Sequence, residues 1–113
     1  MSRKKYEITE DAHPKYPWLH RIRALCQVNE QVSPGMLGGY VQTEDNLSQE
    51  GTCWIYDQAV CCEEAVVADD GRMFDGAVAR GSALVGGNAR MYERAMAEGN
   101  SSFFSGEMKE DAR

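Results

Sequence analysis

Residues 52–106 divide into sixes: TCWIYD, QAVCCE, EAVVAD, DGRMFD, GAVARG, SALVGG, NARMYE, RAMAEG, NSSFFS, then Gly106. The second position holds Cys53, Ala59, Ala65, Gly71, Ala77, Ala83, Ala89, Ala95 and Ser101, all small. The fourth holds Ile55, Cys61, Val67, Met73, Ala79, Val85, Met91, Ala97 and Phe103, all apolar. Most blocks close on Asp, Glu, Gly or Ser, residues that favour turns. In a strand, residues two apart face the same side. The second and fourth positions therefore point inward together, and the polar pair turns the chain. Repetition of a short strand and a turn builds a solenoid whose layers bury one another. A helix is excluded by the spacing, since six is not a multiple of 3.6, and by the recurrent Gly.

Outside this stretch the chain is short. Its 113 residues bound it to one domain. The composition is that of a soluble globular protein, and no apolar run reaches the roughly 18 residues of a membrane span. MSRKKYEITED at the start is basic but lacks the apolar stretch of a secretory signal. Cys26, Cys53, Cys61 and Cys62 have no CxxC spacing, which argues against a zinc site or a disulfide framework and for a reducing, cytoplasmic setting.

Charge is unevenly distributed. Residues 1–23 carry six Lys/Arg and three Asp/Glu, residues 24–71 carry nine Asp/Glu and no Lys or Arg, and residues 72–113 carry six of each. The acidic middle argues against direct nucleic-acid binding and points to a basic partner or a solvated face.

The pattern resembles the hexapeptide-repeat superfamily of left-handed parallel β-helices, in which an aliphatic residue is followed four positions later by a small one. Here Ile55 and Ala59, Val67 and Gly71, Val85 and Ala89, and Met91 and Ala95 carry that pairing, while Cys61, Met73 and Phe103 depart from it. The resemblance implies triangular coils of 18 residues, about three of them over residues 52–106, wound left-handed. The upstream LHRIRAL, GMLGGYV and EDNLSQEGTCWIYD resemble phage and prophage hexapeptide-repeat proteins labelled acyltransferases.

Residues 1–40 are expected to form an N-terminal β cap, with the β-helix over 41–113. Within the cap, residues 1–5 read as a mobile basic tail, residues 6–9 as a short strand and residues 20–25 as its hairpin partner, separated by Pro14 and Pro17. Residues 33–40, SPGMLGGY, read as a turn-rich connection.

For chemistry, the resemblance implies a histidine acting as general base near the coils. Only His13 and His20 exist, both ahead of the repeats, and neither matches a family position. Cys62 should face outward, but Glu63 and Glu64 beside it disfavour a thiolate. No catalytic, cofactor or metal residues are assigned.

An 18-residue coil stacks side chains 18 apart at roughly 4.8 Å. One outward column then reads Tyr56, Phe74, Tyr92, and its neighbour Trp54, Arg72, Arg90, Met108. Aromatics interleaved with arginines suggest a homo-oligomer interface over Trp54, Tyr56, Arg72, Phe74, Arg90 and Tyr92. The corner column Asp57, Asp75, Glu93, Asp111, extended by Glu63, Glu64, Asp69 and Asp70, suggests a surface that docks on a basic partner. The remaining outer faces, Val60, Cys62, Val78 and Arg80, then Val66, Ala68, Leu84 and Gly86, are apolar enough to require cover. Together these features suggest a non-enzymatic, acidic, phage-derived binding protein acting on a host protein such as a nucleic-acid-binding defence complex, a CRISPR effector among them. The alternatives are an acyl-CoA-dependent acyltransferase and a structural phage protein.

Overall fold

In a computed structural model, which describes residues 4–109, the chain is all β apart from one 3-10 turn at Glu44–Asn46. Three longer strands come first: β1 (Tyr6–Ala12), β2 (His20–Ala24) and β3 (Leu37–Val41). Ten two-residue strands follow at the repeat period: β4 (Trp54–Ile55), β5 (Val60–Cys61), β6 (Val66–Val67), β7 (Arg72–Met73), β8 (Val78–Ala79), β9 (Leu84–Val85), β10 (Arg90–Met91), β11 (Met96–Ala97), β12 (Ser102–Phe103) and β13 (Glu107–Met108).

These strands stack into three parallel sheets, the sides of a triangular solenoid. One runs β3-β5-β8-β11, one β4-β7-β10-β13 and one β6-β9-β12. The hexapeptide-repeat solenoid read from the sequence is thus the fold. The expected three coils are corrected to about four turns, because β3 pairs with β5 and Leu47 bridges Val67. The first turn therefore starts within the stretch read as a connection, and the expected boundary at residue 40 falls inside β3. At the other side of β3, β1 and β2 form an antiparallel hairpin that adds to the same sheet.

The core is the fourth-position set. Ile55, Met73 and Met91 stack on one side, Val41, Cys61, Ala79 and Ala97 on the second, and Leu47, Val67 and Val85 on the third, all buried. Burying a side chain of this size contributes about 1.5–3 kcal/mol. Between them the small second-position residues let successive sides approach. Gly39 extends that rule into β3: a Cβ there would sit 2.3 Å from the carbonyl oxygen of Ala59 and 2.6 Å from Ile55 Cγ2.

Every sixth position from Gly51 to Gly99 adopts positive φ, and five of them are not Gly: Asp57, Glu63, Asp69, Asp75 and Glu93, at 56–60°. The left-handed conformation is unfavourable for such residues. The compensation is a hydrogen bond to the coil below. Carboxylate oxygens of Asp57, Glu63, Asp69 and Asp75 accept the amides of Asp75, Gly81, Gly87 and Glu93 at 3.0, 2.7, 2.9 and 2.9 Å.

Beyond the first turn, the rhythm slips once. β13 pairs Met108 with Met91, a step of 17 residues, whereas Phe103 pairs with Val85 at 18. Met108 was expected on the outward column with Arg90; it lies below Met91 instead. Asp111, expected in the acidic corner, lies outside the described residues.

The tail reading also needs correction. Lys5 is 5% exposed, with Nζ donating to the carbonyls of Glu50 (3.3 Å) and Cys53 (3.0 Å). Tyr6 is fully buried and donates its hydroxyl to the carbonyl of Leu47 at 2.6 Å. The N-terminal segment is thereby fastened over the first turn.

Candidate functional site

On the β4-β7-β10 side, Tyr56, Phe74 and Tyr92 stack as a ladder, with ring centroids 4.5 and 5.0 Å apart and planes within 14° and 8°. The neighbouring column is not an open surface. Trp54 is fully buried and meets Tyr6 edge-on at 6.3 Å. Arg72 is also buried, held by Glu30 and Asp70 at 2.9 Å each. Asn29 donates to the Tyr56 hydroxyl, which donates to Gln31. The loop carrying Asn29, Glu30 and Gln31 thus covers the upper half of the face. Phe74, Arg90 and Tyr92 form its more open part, with Arg90 paired to Asp70 at 3.1 Å.

The acidic residues do not gather into one patch. Asp57, Asp75 and Glu93 mark one corner, Glu63 the second and Asp69 the third. All but Glu93 accept a next-coil amide as described above. Glu64 accepts from the Ser82 hydroxyl at 3.3 Å. Asp70 accepts from Thr52, Arg72 and Arg90. Partial burial pushes its carboxyl up, but these three partners outweigh that and hold it at about 2.

The apolar β5-β8-β11 side meets the hairpin loop. Leu19 and Tyr40 pack on Val60, with Cys62 and Val78 beside them. Arg21 sits over the Tyr40 ring at 4.5 Å and donates to its hydroxyl at 2.8 Å. His13 lies 4.6 Å from Tyr40 and 5.2 Å from Tyr16, ring to ring. Its Nδ1 accepts the amides of Lys15 and Tyr16 at 3.0 and 3.2 Å. Nδ1 is thus engaged within its own loop.

Between loop and coils runs a groove of about 320 Å³. Val60, Cys62, Val78 and Met96 form its floor, Tyr16, Trp18 and Leu19 its wall, and Glu63 and Arg80 its rim. Trp18 is 56% exposed and Met96 45%, high values for such large apolar side chains. Arg80 is paired with Glu98 at 2.9 Å. Burial pushes the Cys62 thiol up and Glu63 adds to this, while Arg80 opposes. Sequence reasoning marked the floor as needing cover but missed Tyr16, Trp18 and Met96. The available signal is the apolar Trp18 and Leu19 directly after Pro17, in a stretch that otherwise reads as a chain break before the second strand or as the start of a helix.

No protein-family model matches the chain. It is 36% identical over 69 residues to a protein of Escherichia coli (strain K12) named "Uncharacterized acetyltransferase YdcK". The match covers 60% of this chain, which spans about a fifth (21%) of that relative's length. The name corrects the expectation of a chain without enzymatic activity. Nothing in this likeness supports docking on a basic host partner.

Proposed function

We propose that the chain is part of an acyltransferase of the hexapeptide-repeat kind, and that the groove between the hairpin loop and the β5-β8-β11 side holds the acyl arm of a thioester donor. The relative's acetyltransferase name supports the class. The exposed Trp18 and Met96 over an apolar floor carry the placement, because an exposed apolar concavity with a few polar groups at its rim is the usual form of a small-molecule site.

The fit divides along the donor. A linear acyl-pantetheine arm suits the volume of the groove and its apolar floor with Glu63 and Arg80 at the rim. The phosphates of a full coenzyme suit it less, since the rim offers one cation, Arg80, already paired with Glu98. His13 Nδ1 accepts two amides of its own loop, and no base for an acceptor is assigned to it.

Thermal unfolding in acetyl-CoA and in S-acetylpantetheine tests this reading. Both should stabilise the chain, by about 2.7 kcal/mol when the ligand is at a hundred times its dissociation constant. Val78→Glu puts a charge on the half-exposed floor and should abolish the shift while leaving the fold intact. Absence of any shift with either ligand, or an undiminished shift in the variant, overturns it.

A further inference from the structure

Lys5 and Cys53 form a buried amine–thiol pair on which the proposed transfer makes no demand. Lys5 Nζ lies 3.2 Å from Cys53 Sγ, and the two residues are 5% and 0% exposed. They are 48 positions apart in sequence and join the N-terminal segment to the first turn. Carbonyls of Glu50, Gly51 and Cys53 surround Nζ and hold it against the sulfur. The other cysteines are not so placed: Cys61 bonds the carbonyl of Asn46, and Cys26 that of Lys5.

We propose that this pair is an oxidative modification site, at which a peroxide joins Lys5 Nζ to Cys53 Sγ through a single oxygen atom. One N–O and one O–S bond form, and one N–H and the S–H bond break. Nitrogen and sulfur each give up two electrons. Two molecules of hydrogen peroxide take up these four electrons; one of their oxygens stays in the bridge, and the other three leave as water with the released hydrogens. The first step is the ordinary oxidation of the thiol to a sulfenic acid. The second peroxide hydroxylates the neighbouring amine with loss of water, and the hydroxylamine and the sulfenic acid then condense, with loss of a further water, to the N–O–S bridge, which keeps the sulfur from further oxidation.

Burial alone would make this thiol inert. Two features act against that. Lys5 lowers the thiol's proton affinity, although burial, the larger influence, leaves it raised overall. A polar cleft of about 340 Å³ lies alongside, lined by Ser48, Glu50, Gly51, Ala68 and Asp69. Carbonyls of Ser48 and Glu50 in that lining accept from Cys53 Sγ, and those of Glu50 and Gly51 accept from Lys5 Nζ. The cleft thus ends at the backbone carbonyls that bond the pair. The bridge would clamp the N-terminal segment to the solenoid, closing a long loop and so restricting the unfolded chain.

The test is to treat the folded protein with hydrogen peroxide and measure its intact mass without reductant. The expected product gains one oxygen and loses two hydrogens, maps to a Lys5–Cys53 cross-link, melts at higher temperature and reverts with dithiothreitol. Lys5→Arg and Cys53→Ser should each lose that mass change. Recovery of Cys53 as a free thiol, or as a sulfinic acid with Lys5 unmodified, overturns the proposal. Mapping of the wild-type chain decides the matter even if either variant folds poorly.

Discussion

The carboxylate of Asp57 accepts the amide hydrogen of Asp75 at 3.0 Å, one full turn further along the solenoid, and Asp75 does the same for Glu93 at 2.9 Å. Both acids occupy left-handed backbone, so each residue combines an unfavourable conformation with a bond that offsets it. An acidic corner therefore has a structural employment of its own.

This makes the substitution order at Asp75 specific. Asp75→Ala keeps the strained φ and loses the bond, and should destabilise by about 1 kcal/mol. Asp75→Gly loses the bond but removes the strain, and should be closer to wild type. Urea unfolding of the two variants gives the comparison. Equal losses would mean that the bond contributes and the backbone strain does not.

Acid should weaken the chain through Asp70. Its folded value of about 2 lies below the roughly 3.9 of an unfolded aspartate. A depressed carboxyl contributes stability that is present above the unfolded value and is lost as pH falls through the folded one. The loss belongs between about pH 4 and pH 2. Melting temperatures across that window should fall less steeply in Asp70→Asn than in wild type.

Asn46 is expected to be the most sensitive polar position. It is fully buried; its Oδ1 accepts the amides of Gln42 and Thr43 at 2.9 and 2.8 Å, and its Nδ2 donates to the carbonyls of Glu63 and Ala65 at 3.1 and 2.8 Å. Asn46→Ala strands several backbone groups at once and should cost about 3 kcal/mol or more. Equilibrium denaturation measures it.

Gly39→Ala should destabilise by about 1–3 kcal/mol, the range for forcing extra volume into a packed core, because the added methyl meets the Ala59 carbonyl in the adjacent coil. A circular-dichroism melt suffices. A neutral outcome would mean that β3 is not seated in the first turn.

The regular part of this fold was legible because one physical requirement, small and apolar residues pointing inward every six positions, is written nine times over. The first turn escaped notice because Val41, Leu47 and Ile55 supply its three inward side chains at spacings of six and eight, with Asn46 bridging the irregular loop. The deletion near Ser105 did leave a trace: carried on in sixes, the tenth block GEMKED puts Glu107 and Lys109 at the inward positions, and a block of five instead places Met108 below Met91. For the candidate site, the apolar floor followed from the columns. Its wall did not, since Tyr16 and Trp18 come from a loop whose position depends on hairpin pairing between residues far from the coils. Lys5 was misjudged for a related reason. A terminal lysine is ordinarily solvated, and only the carbonyls exposed at the mouth of the first turn make its burial favourable.

The slide of the paired hairpin into the same sheet as β3 makes the two ends of the solenoid unequal. At the N-terminal side β2 pairs with β3, and Lys5 and Tyr6 donate to carbonyls of Cys53 and Leu47, whereas among the described residues Glu107–Met108 is paired with β10 alone. In a stack where each layer leans on its neighbour, that inequality gives unwinding a direction. Amide hydrogens should exchange with deuterium earliest around β12 and β13 and latest around β3 and β5, a gradient of protection running along the axis from one extremity to the other.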